Sequence, residues 1–244
     1  MSSPPSIDAL IGRTRAVVAA FALVLAAALA SAGAAFIQVR ALRGATALAI
    51  DLRAVERADL LARGAGFAVV LTALAASLAW ARWAQRAFTL AASLELRALP
   101  MSAGRAAWGF VLPVVQLWIP FQALAGLTRA LDRERLPVAA PRAAADASSH
   151  YRDNAAAPQP ADAALPPVPI GAAWALWWGG WGLSFVATFA HARAVSVADV
   201  RTVLQIDLCS QLGLAVAALL FTRVAIGLDA RLRERAERHP PTAR

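Results

Sequence analysis

Residues 106–127 read AAWGFVLPVVQLWIPFQALAGL, an apolar run interrupted by Pro113 and Pro120. A helix needs about 20 predominantly apolar residues to cross a hydrocarbon core, so the run is long enough to span a membrane. Each proline, however, removes a backbone donor and clashes with the preceding turn. In lipid such breaks are tolerated only where protein or water satisfies the freed carbonyls. The run is therefore either a kinked span or a re-entrant element that enters and leaves on one side. That choice decides the fold, because four further apolar runs surround it.

Those runs are residues 16–39, 64–81, 170–190 and 202–222. Arg15 and Arg40 flank the first, Arg63 and Arg82 the second, and Arg201 and Arg223 the last, while Arg193 follows the third. At such edges an arginine keeps its stem in apolar surroundings and its head among lipid headgroups. Composition agrees. Of 244 residues, 59% are hydrophobic and 16% charged, against roughly 45–50% and about 25% in soluble domains. The net charge is nevertheless +9, and every basic residue is arginine. These values exclude an ordinary soluble enzyme, a disordered tail and a disulfide scaffold. A basic chain suggests nucleic acid, but here the arginines flank apolar runs and form no single stripe. The expected partner is the bilayer with its anionic headgroups, not nucleic acid. The single cysteine, Cys209, lies in an apolar stretch and is expected to be buried and inert.

The first run has a signal-peptide layout, with Arg13 and Arg15 ahead of an apolar core and Ala28-Leu29-Ala30 as a cleavage site. The run continues to residue 39, past the roughly 7–15 residues of a signal core, so an uncleaved first span is expected. Residues 41–62 alternate leucine and valine with Asp51, Arg53, Glu56, Arg57 and Asp59 at helical spacing, as an amphipathic helix on a membrane face or a solvated connector would. After the second run the helical pattern continues through Trp80, Arg82, Trp83 and Arg86 towards Pro100. The two tryptophans stand where an interfacial aromatic belt belongs. The segments expected are a short N-terminal stretch (1–15), helices one to three with connectors (16–131), an Ala/Pro-rich disordered loop (132–169), helices four and five (170–228) and a charged C-terminal tail (229–244). In that tail Arg231, Arg233, Arg235 and Arg238 alternate with Glu234 and Glu237, as in a solvated helical extension against anionic lipid.

Arginine counting weighs the two topologies. With five spans the two sides carry 8 and 16 arginines; with a third run that does not cross, they carry 17 and 7. The second division is the more biased and places both termini in the cytoplasm. The fold class expected is an all-α, multi-pass transmembrane bundle of four to five membrane helices with a Pro-broken third element.

The middle of the chain also carries a resemblance. Trp80-Ala-Arg82-Trp precedes the block Pro113-Val-Val-Gln116-Leu-Trp118-Ile-Pro120-Phe121, and an Ala-Leu-Trp177-Trp178 helix follows. This order resembles the bacterial integral-membrane family called domain of unknown function 4328. In that family a Pro-x-x-Asn-Leu-Trp-x-Pro-Tyr block is followed by Glu-Leu-Trp. Here Gln116 stands in the Asn place, Phe121 in the Tyr place, and Gly126-Leu127-Thr128 replaces the acidic continuation. The resemblance covers about residues 16–228 and implies membrane architecture without a known activity.

In the fourth run Trp174, Trp178 and Trp181 share one helix face, and Gly171, Ala175 and Gly179 recur every fourth residue on another. The small residues read as a helix–helix seam, within one chain or between copies. The polar candidates are His191, Arg201, Asp207 and Gln211. A His191–Asp207 or Arg201–Asp207 pair near the membrane edge is expected, either as a structural pair or as part of a proton or ion relay. No phosphate loop, zinc-protease motif or nucleophile elbow occurs. No catalytic, cofactor or metal residues are expected. The function read from the sequence is a non-enzymatic membrane assembly or scaffold protein of the bacterial inner membrane, associating with itself or another membrane protein. A small transporter or channel using Asp207 and the Pro113/Pro120 element is the alternative.

Overall fold

The computed structural model describes residues 7–42, 52–96, 99–111, 115–133 and 167–238. Pro113, the ends of the chain and almost all of the 132–169 loop lie outside these residues. Among the described residues the chain is helical throughout: α1 (Ile7–Ala41), α2 (Leu52–Ser93), α3 (Ala103–Gly109), a 3-10 turn (Val115–Leu117), α4 (Ile119–Arg133), α5 (Ile170–His191) and α6 (Val197–Arg238). Three of these helices, α1, α2 and α6, are long and apolar enough to cross a membrane.

Helix α1 is the central element, packed along both α2 and α6, and α5 packs along α6. Helices α1 and α2 run antiparallel, since Trp83 Nε1 near the end of α2 donates to Thr14 Oγ1 near the start of α1 at 3.0 Å. Helices α5 and α6 are also antiparallel. A Cβ on Gly227 would meet Val168 at 3.5 Å, and one on Gly180 would meet Leu214 Cγ at 2.8 Å. At that crossing Ser210 Oγ donates to the Gly180 carbonyl at 2.7 Å. Gly180 is thus the close-approach glycine of α5. The stripe expected for that role points elsewhere: Gly171, Ala175 and Gly179 are exposed, and no atom lies within 4 Å of a Cβ built on either glycine.

The tryptophans differ from the belt expected of them. Trp80 and Trp83 are 2% and 0% exposed, buried inside the bundle. Trp80 stacks on Phe110 at 5.5 Å and meets Phe21 edge-on at 6.2 Å. Phe21 in turn stacks on Phe221 at 5.2 Å and meets Trp177 at 6.1 Å. One aromatic cluster therefore joins α1, α2, α5 and α6 to the turn after α3. Cys209 also differs: it is exposed on the outside of α6, because Ser210 and Gln211 take the inward positions beside it.

Helix α2 neither stops after residue 81 nor continues to Pro100. Its 42 residues correspond to about 63 Å of helix, and the described part of the 41–62 connector is simply its first turns. It ends in a hydrogen-bonded reversal, with Leu96 N–H donating to the Ala91 carbonyl and Glu95 N–H to that of Ala92. Glu95 takes φ 56°, the left-handed position usually filled by glycine. No glycine marks this end in the sequence, which is why the pattern there reads as uninterrupted.

Helix α6 likewise continues past residue 228 with one face buried, including Asp229, Arg231, Leu232 and Ala236. Residues 229–238 are therefore packed on one side and are not a fully solvated extension. Arg231, 5% exposed, donates to Asp132 Oδ1 of α4 at 2.6 Å, Arg233 pairs with Asp229, and Arg238 pairs with Glu234 at 2.7 Å.

Replacing Gly180 with Leu should force α5 off α6 and cost about 1–3 kcal/mol, the usual range for overpacking. Gly171→Leu, on the open face, should cost far less. Denaturant titration in mixed micelles measures both, and equal losses would contradict the close crossing at Gly180.

Candidate functional site

The described residues of the apolar run 106–127 are divided between two helices and a turn. Helix α3 starts at the N-cap Ser102, whose side chain accepts from Arg105 N–H at 3.4 Å. It ends at Gly109. Helix α4 begins at Ile119, so Pro120 lies in its first turn, where a missing N–H leaves no hydrogen bond unmade. Pro120 therefore begins a helix and does not interrupt one.

The two arms fold back on each other. A Cβ on Gly109 would meet Ile119 Cγ2 at 2.6 Å, and one on Gly126 would meet Pro100 Cγ at 2.4 Å. Only glycine allows these approaches. The start of α3 and the last turns of α4 consequently lie at the same end of the bundle, with the 3-10 turn as the tip of the hairpin.

Two side chains from the bundle hold that tip. Gln116 Nε2 donates to Ser77 Oγ of α2 at 3.1 Å, and Trp174 Nε1 of α5 donates to the Leu117 carbonyl at 3.0 Å. The second bond satisfies a carbonyl that no regular helix takes up. Beside the tip, α2 and α5 leave a cleft of about 150 Å³. Val70, Ala73, Leu74 and Ser77 line it from α2, Trp177, Trp178, Trp181 and Phe185 from α5, and Gln116 lies between.

The other positions of the sequence block fall around this hairpin. Arg82 is exposed, and its carbonyl accepts from Arg13 Nη1 at 3.4 Å. Trp118 is 61% exposed and tilts against Phe121 at 6.0 Å. Trp177 is buried in the aromatic cluster, and Trp178 packs against it half-buried. The four tryptophans of α5 thus serve internal packing more than an outer seam.

The polar candidates at the other end of α5 and α6 are only partly brought together. Gln211, 5% exposed, donates from Nε2 to Asp207 Oδ1 at 3.2 Å, while its own Oε1 is buried with no donor. His191 and Arg201 are exposed. Among the described residues neither makes a hydrogen bond or ion pair with Asp207. Ser210, on the same side of α6, is used by the Gly180 contact. A separate open hollow of about 730 Å³ lies between the end of α5 and the start of α6, with Arg193 and Asp199 beside Phe189 and Ile206.

Sequence reasoning missed Ser77, Gly109, Gly126 and Asp132. The signal for the two glycines was their spacing from Pro120 and Pro100, which only a hairpin makes meaningful. Trp174→Phe keeps the ring packing and removes the donor to Leu117. It should weaken the hold on the tip by about 0.5–1.5 kcal/mol, read as faster hydrogen exchange at residues 115–118 with unchanged exchange in α1. Unchanged exchange at the tip would contradict that role.

No curated protein and no solved structure matches the chain. A family match covers residues 46–230, which takes in the hairpin, the cleft and α5 with most of α6, and leaves out α1. The chain belongs to the family described as Domain of unknown function (DUF4328).

Proposed function

We propose that this chain is a multi-pass protein of the bacterial inner membrane, with four spanning helices and a re-entrant α3–α4 hairpin. The observation that carries this reading is the contact of Pro100 with Gly126: both arms of the Pro-containing run leave from one end of the bundle. The Arg231–Asp132 pair, which ties the last turn of α4 to the late turns of α6, supports it. So does the length of α5. Its 22 residues carry no charge before His191 and correspond to about 33 Å of helix. Glycine and tryptophan lower its hydropathy without adding a charge. The arginine division of 17 against 7 supports putting the termini, and the 134–166 connection, on the cytoplasmic side.

The working role is that of a non-enzymatic helical assembly protein, held among anionic headgroups by its arginines and associating with a second copy or another membrane protein. A second reading, a small transporter, is favoured by the Asp207–Gln211 bond inside an apolar helix, since intramembrane acids often mark ion paths.

Reporters inserted at Ala45, His150 and Ala198 separate the topologies. His150 should report the cytoplasm, and the other two the opposite side; an external His150 would mean five spans and refute the re-entrant hairpin. For the transporter reading, Asp207→Asn should abolish ion flux in proteoliposomes while assembly stays normal. Unchanged flux would remove Asp207 from any ion path.

A further inference from the structure

The cleft beside the hairpin tip has features that internal packing does not use. Helices α2 and α5 are not among the closely packed helix pairs, and the cleft between them is partly open to the outside. Its mouth is formed by Val70, Leu74 and Phe185, which are 42%, 59% and 64% exposed. If these helices span, as proposed above, that mouth faces hydrocarbon and is filled from the bilayer. No charged residue lines the cleft, and a charged group there would lose its hydration without a partner. The wall that α5 contributes is three tryptophan rings and a phenylalanine. The free volume of about 150 Å³ is of the size that admits one aromatic ring.

One hydrogen-bonding group remains available in this apolar setting. Gln116 uses its Nε2 on Ser77, and its Oε1 receives no donor from the described residues. A ligand with a single hydroxyl that donates would suit that oxygen. We propose that the α2–α5 cleft binds an uncharged, ring-headed amphiphile of phenol type that enters from the bilayer. Its ring lies among Trp177, Trp178 and Trp181, its hydroxyl at Gln116, and its apolar tail along α2 in the lipid. This rests on the membrane reading above and is independent of the scaffold or transporter role.

The test uses the full chain in vesicles of phosphatidylethanolamine and phosphatidylglycerol, with a long-chain alkylphenol carrying a diazirine as probe. Photolabelling should concentrate on residues 70–77 and 177–185. Unlabelled alkylphenol should compete it away, and an alkane of equal length or added phosphatidylglycerol should not. Gln116→Leu should lower the competable labelling roughly three- to tenfold, the loss of one hydrogen bond. Val70→Trp, which fills the mouth from an exposed position, should abolish it and keeps the test informative where Gln116→Leu does not assemble. Labelling spread evenly over lipid-facing positions such as Leu212 and Leu219, or equal competition by the alkane, would overturn the proposal. A cytoplasmic His150 reporter with such non-specific labelling removes the cleft alone; an external His150 removes the membrane topology beneath it.

Discussion

Phe21 meets aromatic rings from three other helices at once, with Trp80, Trp177 and Phe221 all within 6.2 Å of its centroid. Between helices surrounded by lipid there is no hydrophobic drive to associate, so close packing and hydrogen bonds must hold them. Edge-on and stacked rings contribute about 0.5–1.5 kcal/mol each beyond the area they cover. A shared ring makes their positions interdependent. Trp80 extends the constraint to the hairpin through its stack on Phe110. The helix that carries Phe21 lies outside the family match, which begins at residue 46, so in this chain the fold depends on a helix beyond the matched region.

The second constraint is polar. A hairpin tip laid against the side of an apolar bundle brings carbonyls with no helical partner, and within a membrane each must find a donor. Trp174 and Gln116 tie the tip to α5 and α2, and the buried Arg231 holds the far end of α4 through Asp132. Asp132 itself is half-exposed, so this pair sits at the edge of the bundle, where α4 meets α6. The hairpin is therefore fixed at both ends, and the cleft between α2 and α5 is what its position leaves open.

Much of this was legible in the sequence. Long apolar runs edged by arginine marked α1, α2 and α6, and the family block drew attention to Gln116 and Trp177. The misreadings share a cause. A tryptophan near the end of an apolar run reads as an interfacial anchor, and whether Trp80 faces lipid or another ring depends on α1 and on Phe110, which one helix's pattern does not contain. The regular Gly171–Ala175–Gly179 spacing marks an open face of α5, whereas the close approach within the chain sits at Gly180 because Ser210 and Leu214 lie opposite it. The turn at Glu95 carries no glycine to announce it. Asp207 bonds Gln211, which the helical spacing already put on its face; His191 and Arg201, expected beside it from the short connection, stand exposed and apart.

The central claim is that the tip of the Pro-containing run sits against α2 on the side of the bundle. It is tested most directly by a cysteine pair, Ser77→Cys with Gln116→Cys, in a chain whose native thiol is removed by Cys209→Ser. In intact membranes the two should be joined efficiently by a short bifunctional thiol reagent, while Gln116→Cys paired with a cysteine at the exposed Leu212 should not be. A tip that fails to cross-link to position 77, or one that reacts equally with both, would contradict the account.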